Sequence, residues 1–491
     1  MRKIGYILLT VFSLSACSGF LDEDPQGQLT EDTFFGEEEG ALMGINAIYA
    51  HLRKWDMIGF PWFAITELPG DNSDTGSELS DGGTASLNTV NNFTYNSSLG
   101  ELNNWWTGHY NAIASCNVAL DNMQALKNEE LKTKCIAQAR FFRGFFYFNL
   151  VRAFGGVPLV LEVSQPGQYN KPRATEAEVY GAIIKDLTYA AENLPTRDEW
   201  GSKDLGRATK GTAEGLLAKV YLFRQDNENA MKYAGQAITR GEYDLHANYR
   251  DLFSPNSLYS REVMLGDQFL WQDNRNNDSE FVKWQGVRAQ FGWGYFSPTE
   301  SLANSYEAGD PRRGATIFFS GDTVDGRGVI DFMPSLAPRA NHKTIWPTSF
   351  WNQNYFEKTN AHLYFLRYAD VLLIYAEAAN EQGNSGEALD KLEMVRNRAR
   401  LSGNGSNILP RITETDKAKL REIIWKERRI ELALEGHRFF DIIRANKVVP
   451  GYADRVLRDE HGKTNFSAAR NSVFLIPQVQ IDISGGALVQ N

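Results

Sequence analysis

One spacing of small and large side chains occurs twice in this sequence, and it restricts the possible folds more than any other feature. Ala213, Leu216, Leu217, Val220 and Tyr221 fall at helical intervals, and after a polar turn Ala230, Ala234 and Ala237 do the same. The pattern returns at Leu372, Ala376 and Ala379, then at Ala388, Leu392 and Val395 beyond a turn at Gly383-Asn384-Ser385. Apolar residues at i, i+3, i+4 and i+7 form the core-facing stripe of a helix. Alanines let two such helices approach closely, while the large residues fill the gap between successive pairs. A hairpin of this kind cannot bury its faces alone and needs stacked neighbours.

Leu217, Ala218, Tyr221, Ala230 and Ala237 follow the spacing of a tetratricopeptide helix pair. A generic helical hairpin is the plainer reading. Helices are also expected over Glu37–Lys54, Leu102–Leu126, Leu131–Ala153 and Thr175–Leu194, the last opened by the capping box Thr175-x-x-Glu178. Gly241 is placed to end the second helix of the first pair. A final helical stretch, Thr413–Leu434, reads as running on into His437–Asn446. Between about residues 245 and 360 the helical period fails. That stretch has scattered Gly, Pro and Asn, a short alternating run at Ala315–Phe319 and a turn at Asp325-Gly326. A second loop-like stretch, Pro69–Ser98, is rich in Asp, Asn, Ser, Thr and Gly. The expected fold is mainly α, with tetratricopeptide-like helical pairs and a long loop-rich insertion containing short strands. The scaffold would cover about residues 30–244 and 361–446, and the insertion about 245–360.

The N-terminus sets the compartment. Arg2 and Lys3 precede the apolar run Ile4–Leu14, and Ser15-Ala16-Cys17 follows. This is the layout of a secretory signal, too short to span a bilayer as a mature helix. Leu14-Ser15-Ala16-Cys17 also resembles a bacterial lipobox, so residues 1–16 are expected to be removed and Cys17 lipidated. Residues 17–491 would then form a single body on a lipid tether. Cys116 and Cys135 are read as buried thiols on neighbouring helices, misaligned for a bridge.

Charge and motifs exclude several functions. Lys plus Arg number 51 against 61 for Asp plus Glu, and a net charge of -10 argues against a nucleic-acid binder. There is no nucleophile elbow, zinc-binding His-Glu-x-x-His, phosphate loop or dinucleotide fingerprint. Neither a metal site nor a cofactor is expected. Glycoside hydrolysis needs two facing carboxylates, and Glu427, Glu431 and Glu435 are spaced along one helix face. They are interleaved with Arg428, Arg429 and Arg438, and neighbouring guanidinium groups depress the pKa that a general acid needs raised. Lys426–Arg444 therefore reads as a structural ion-pair network. Asp71, Asp74 and Glu78 lack the ligand spacing of an EF-hand loop, and read better as a ligand-contacting or merely solvated loop.

Binding is the simpler chemistry. Sugar rings stack their C–H faces on indole and phenol rings, and their hydroxyls pair with amides, carboxylates and guanidinium groups. The irregular insertion holds five of the eleven tryptophans: Trp271, Trp284, Trp293, Trp346 and Trp351. Trp271 stands beside Asp273, Asn274 and Arg275, Trp351 beside Asn352, and Trp293 near Tyr295. With Asp71, Asn72 and Asp74 these are the candidate ligand-binding residues. The competing reading is that any of the tryptophans is core. Trp105, Trp106 and Trp425 lie on expected helices and are read as packing.

Several blocks together resemble the SusD/RagB family. They are Cys17 with Leu21-Asp22-x-x-Pro25, Ala139-Arg140-Phe141-Phe142-Arg143-Gly144-Phe145 leading to Phe154-Gly155-Gly156-Val157-Pro158-Leu159, and Leu366-Arg367-Tyr368-Ala369-Asp370. Gly309-Asp310-Pro311-Arg312, Lys426-Glu427-Arg428-Arg429 and Glu435-Gly436-His437-Arg438-Phe439-Phe440-Asp441 complete the set. The resemblance implies an outward-facing outer-membrane lipoprotein, not an enzyme, that captures oligosaccharides for a SusC-like TonB-dependent transporter. Some relatives bind peptides, which keeps that cargo open. The shared blocks lie mainly on scaffold, so the resemblance carries no individual binding residue over.

Overall fold

Both expected hairpins form. In the first, helix Lys210–Phe223 is joined to Asn227–Thr239 by a turn in which Gln225 takes φ 62° and Asp226 caps the Asn229 amide. In the second, Gly383 at φ 84° links Tyr368–Glu381 to Ser385–Leu401. Ala213, Leu217, Ala230, Ala237, Leu372, Ala376, Ala388 and Val395 are fully buried, as the stripe requires. Each large apolar side chain buried this way contributes about 1.5–3 kcal/mol. The computed structural model describes residues 31–257, 259–267, 279–288, 290–332, 338–350, 361–403 and 408–491.

The pairs are distant in sequence yet adjacent in space. Gly100–Asn122 packs on Glu129–Phe154, which packs on Glu176–Asn193, which packs on Lys210–Phe223. Helix Asn227–Thr239 then lies directly against Tyr368–Glu381, so the array runs on as though the residues between were absent. The junction is a two-stranded antiparallel sheet in which Val263–Gly266 pairs with Tyr364–Arg367. The insertion leaves and returns through this ribbon. It has a small core of its own, including Val282, Phe291, Phe318, Ile330 and Ile345, and a hairpin that turns at Gly326, φ 83°. The molecule is mainly helical, with strands only in short pairs among the described residues.

Local expectations fared unevenly. The Thr175–Glu178 capping box is present in both directions, and Gly241 takes φ 72° just past a helix end. Cys116 and Cys135 are buried and unbridged. Pro69–Ser98, however, is not all loop: Ser73–Gly76 is a strand and Thr84–Asn91 a helix. Leu87 and Val90, three residues apart, bury one face of that helix, and tertiary packing overrides its poor helix formers. The last helices also do not run on. Lys417–Glu431 ends, Leu434 and Gly436 adopt positive φ, and Arg438–Val448 starts afresh. A Cβ on Gly436 would lie 2.3 Å from Trp62, so this break needs glycine.

Candidate functional site

The strand pairing that sets the site could not be read from the sequence. Ser73–Gly76 pairs antiparallel with Tyr295–Pro298, placing Asp74 opposite Ser297 and Gly76 opposite Tyr295. Two glycines allow the contact to be close: a Cβ on Gly76 (φ 65°) would sit 2.2 Å from the Gly294 carbonyl, and Gly294 itself has φ 76°. The Ser77 amide donates to that carbonyl at 2.9 Å, and the Ser77 hydroxyl lies 3.0 Å from the Trp293 carbonyl. The polar early loop is thereby fastened to the aromatic insertion, more than 200 residues later.

Trp293 stands at the edge of this ribbon and is 40% exposed. Its ring meets Tyr295 edge-on at 6.3 Å, and the Lys283 ammonium lies 4.7 Å from the indole centroid. These contacts hold the ring at its base and leave indole surface open to solvent. Beside it, the Arg288 guanidinium donates to Asp81 at 2.9 Å and to Ser77 at 3.1 Å. The Ser77 hydroxyl, the Glu78 amide and Arg288 all donate to the Asp81 carboxylate and hold its pKa below the usual range. Asp74 is exposed on the same ribbon. The arrangement is an open indole face flanked by carboxylates, a hydroxyl and a guanidinium.

Other expected site residues are buried or lie away from the open indole. Trp284 and Tyr295 are buried, packing around Phe60, and the Tyr295 hydroxyl donates to the Gly82 carbonyl. Trp346 is 3% exposed, on the wall of a separate cavity of about 330 Å3 beside the exposed Phe350. Burial alone would raise the Asp71 pKa, but Arg438 at 2.6 Å and Arg429 at 3.1 Å hold it well below the carboxylate range. Asn72 is buried and accepts from Arg429. Asp71 and Asn72 thus lock the loop to the last helices, and Asp71 lines a cavity there with Arg429 and Arg438. Trp271, Asp273, Asn274, Arg275, Trp351, Asn352 and Cys17 lie outside the described residues. Trp105, Trp106 and Trp425 are buried on helices, as read. Ser77, Asp81, Lys283 and Arg288 join the site without having been expected there.

The carboxylates considered for catalysis are all ion-paired. Arg312 and Arg396 hold Glu427, Arg312, Arg367 and Arg398 hold Glu431, and Lys343 and Arg367 hold Glu435. The network is structural, as expected, but its partners are not the interleaved arginines: Arg428 pairs with Asp370 and Asp441, Arg429 and Arg438 with Asp71. Side chains of neighbouring positions on a helix point apart, so Glu427 and Glu431 look to one side and Arg428 and Arg429 to another; Glu435 and Arg438 lie past the end of that helix, so the three acids do not share one helix face. Glu431 and Glu435 are buried, yet these cations keep their pKa depressed, which unsuits them as general acids. Among the described residues no cluster of three or more His, Cys, Asp or Glu is arranged to hold a metal.

Comparison with known proteins covers nearly the whole chain. A family model described as "SusD family" matches residues 257–491, and one described as "Starch-binding associating with outer membrane" matches residues 61–222. The chain is 30% identical over 511 residues to SusD-like protein P2 of Formosa agariphila, covering 100% of this chain and 97% of that one. It is 28% identical to a SusD-like protein of Bacteroides ovatus, covering 94% and 88%. A solved laminarin-binding SusD-like protein superposes with a TM-score of 0.76 at 26% identity, over 93% of this chain and 99% of that one. Surface glycan-binding protein A of Bacteroides thetaiotaomicron, solved with laminarihexaose, shares the fold with a TM-score of 0.76 at 21% identity, over 92% and 99%.

Proposed function

The chain belongs to the SusD/RagB family of non-catalytic binding proteins, and from that premise we propose that it is a cell-surface glycan-binding lipoprotein. It captures oligosaccharides and delivers them to a SusC-like TonB-dependent transporter. The observation that carries this reading is the half-open Trp293 indole, backed by Lys283 and Tyr295 and bordered by Ser77, Asp81 and Arg288. A pyranose ring can lay its C–H face on the indole while its hydroxyls reach the rim. The laminarin-binding relative makes neutral glucans the first ligands to try.

Lipidation of Cys17 would hold the body at the outer membrane, facing out. Trp271 with Asp273, Asn274 and Arg275, and Trp351 with Asn352, remain proposed ligand contacts. Retardation of the purified protein in gels cast with neutral polysaccharides tests the reading. Wild type should be slowed in at least one gel and Trp293→Ala slowed much less. Equal retardation of the two, or preference for a mixed peptide pool over every glycan, would overturn it.

A further inference from the structure

A second cavity, of about 550 Å3, lies away from the Trp293 ribbon and shares no lining residue with it. The Gly100–Asn122 helix, the loop after Phe154 and the C-terminal segment enclose it. Three rings line it. Trp106 and Tyr110 pack at 5.1 Å, and the Tyr110 hydroxyl donates to the Pro158 carbonyl, which fixes that wall to the loop. The third ring, Tyr169, is 68% exposed. A ring so exposed in a cavity wall makes little contact with the fold and is free to meet a ligand.

Gln480 and Ser484 on the lining are hydrogen-bonded within the fold, but three other polar side chains there are not. Asn111, Asn170 and Lys171 line the cavity, and their side chains form no hydrogen bond or ion pair with any described residue. Among the described residues, Lys171 is the one charged residue on the lining. The contrast with the cavity near Asp71 is clear, because that one is lined by Glu422, Lys426, Arg429, Arg455 and Glu460. Rings, free amides and almost no charge match a neutral polyhydroxylated ligand and give an anionic one little to bind. The volume lies within the range of small-ligand sites.

We propose that this cavity is a second saccharide subsite, for a neutral oligosaccharide stacked on Tyr169 and hydrogen-bonded by Asn111, Asn170 and Lys171. The proposal rests on the reading of the chain as a glycan binder, but the two sites can fail separately. A polysaccharide held at both gains avidity, because the second contact forms at the effective concentration set by the first. A short oligosaccharide gains none and simply fills two places.

Calorimetric titration with neutral hexasaccharides of the β-glucan, α-glucan, xylan, galactan and mannan types tests it. The proteins are wild type, Trp293→Ala, Tyr169→Ala/Asn170→Ala and the combination. The expected result is two sites in wild type, one in each single-site variant and none in the combination. In polysaccharide gels each single-site variant should lose about tenfold or more in affinity. Tyr169 and Asn170 are exposed loop residues, so unchanged melting of that variant confirms folding. One site in wild type that Tyr169→Ala/Asn170→Ala leaves intact would overturn the second subsite and spare the Trp293 reading. Loss of all binding in Tyr169→Ala/Asn170→Ala, with Trp293→Ala unaffected, would do the reverse. No binding by any hexasaccharide would overturn both.

Discussion

Replacing Arg367 with methionine tests whether the buried charges hold the fold together. Arg367 is fully buried at the end of the strand that closes the insertion. Its guanidinium donates to Glu435 at 2.7 and 3.0 Å, to Glu262 at 2.6 Å, and to the Glu431 carboxylate and carbonyl at 2.7 and 2.6 Å. Methionine fills similar space but leaves three buried carboxylates to share Arg398, Arg312 and Lys343. Removing one partner of a buried pair costs about 3–5 kcal/mol. At about 2.1 cal/mol/K per residue, 491 residues carry about 1 kcal/mol/K of unfolding entropy, so the melting temperature should fall by roughly 4 °C. The cost should also depend on pH. Arg367 is among the cations that depress the Glu431 and Glu435 pKa values, so without it these carboxylates take up protons at higher pH than in wild type. The variant then gains on wild type as pH falls toward about 4.3, the ordinary carboxylate value. Calorimetry at pH 7 and pH 4.5 would show the gap narrowing. A gap under about 1 °C at pH 7, or one that widens in acid, would refute the reasoning.

Gly436→Ala forces a left-handed φ of 77° on a residue with a Cβ and drives that atom into Trp62, so it should cost about 3 kcal/mol, read as a lower melting temperature. Thr175→Ala removes the cap accepted from the Glu178 amide and should cost about 1 kcal/mol in the same assay, with glycan binding unchanged. His109 and His437 are buried and neutral, their pKa lowered to about 3 by desolvation. Because these folded-state values lie below the unfolded one of about 6.5, each contributes stability that is full above that pH and falls by about 1.4 kcal/mol per unit below it. Melting should therefore drop by several degrees between pH 6.5 and pH 5, and a flat profile would contradict their buried neutral state.

The helical pairs were legible because their information is local: Ala213 to Ala237 and Leu372 to Val395 state their period within some 25 residues. That the pairs abut across the insertion was not, since nothing near Thr239 or Tyr368 names the other as neighbour. The site followed the same rule. Trp293 was among the candidates for its residue type alone, whereas Ser77, Asp81 and Arg288 join it only through the pairing of Ser73–Gly76 with Tyr295–Pro298. Glycines at 76 and 294 were the faint local signal that two backbones approach closely there. Residue type did not reveal the burial of Asp71 and Asn72, where a polar, loop-like sequence pairs with Arg429 and Arg438. The charged helix was read correctly in kind and wrongly in partners, because Arg312, Arg367, Arg396 and Arg398 come from elements that sequence order does not place beside it.

The most direct test titrates one neutral oligosaccharide into wild type, Trp293→Phe and Trp293→Ala. If a sugar face rests on the exposed ring, Phe should keep most of the affinity and Ala should lose about tenfold, with melting temperatures unchanged. Equal affinity in all three proteins would mean that the Trp293 ring does not bear the ligand.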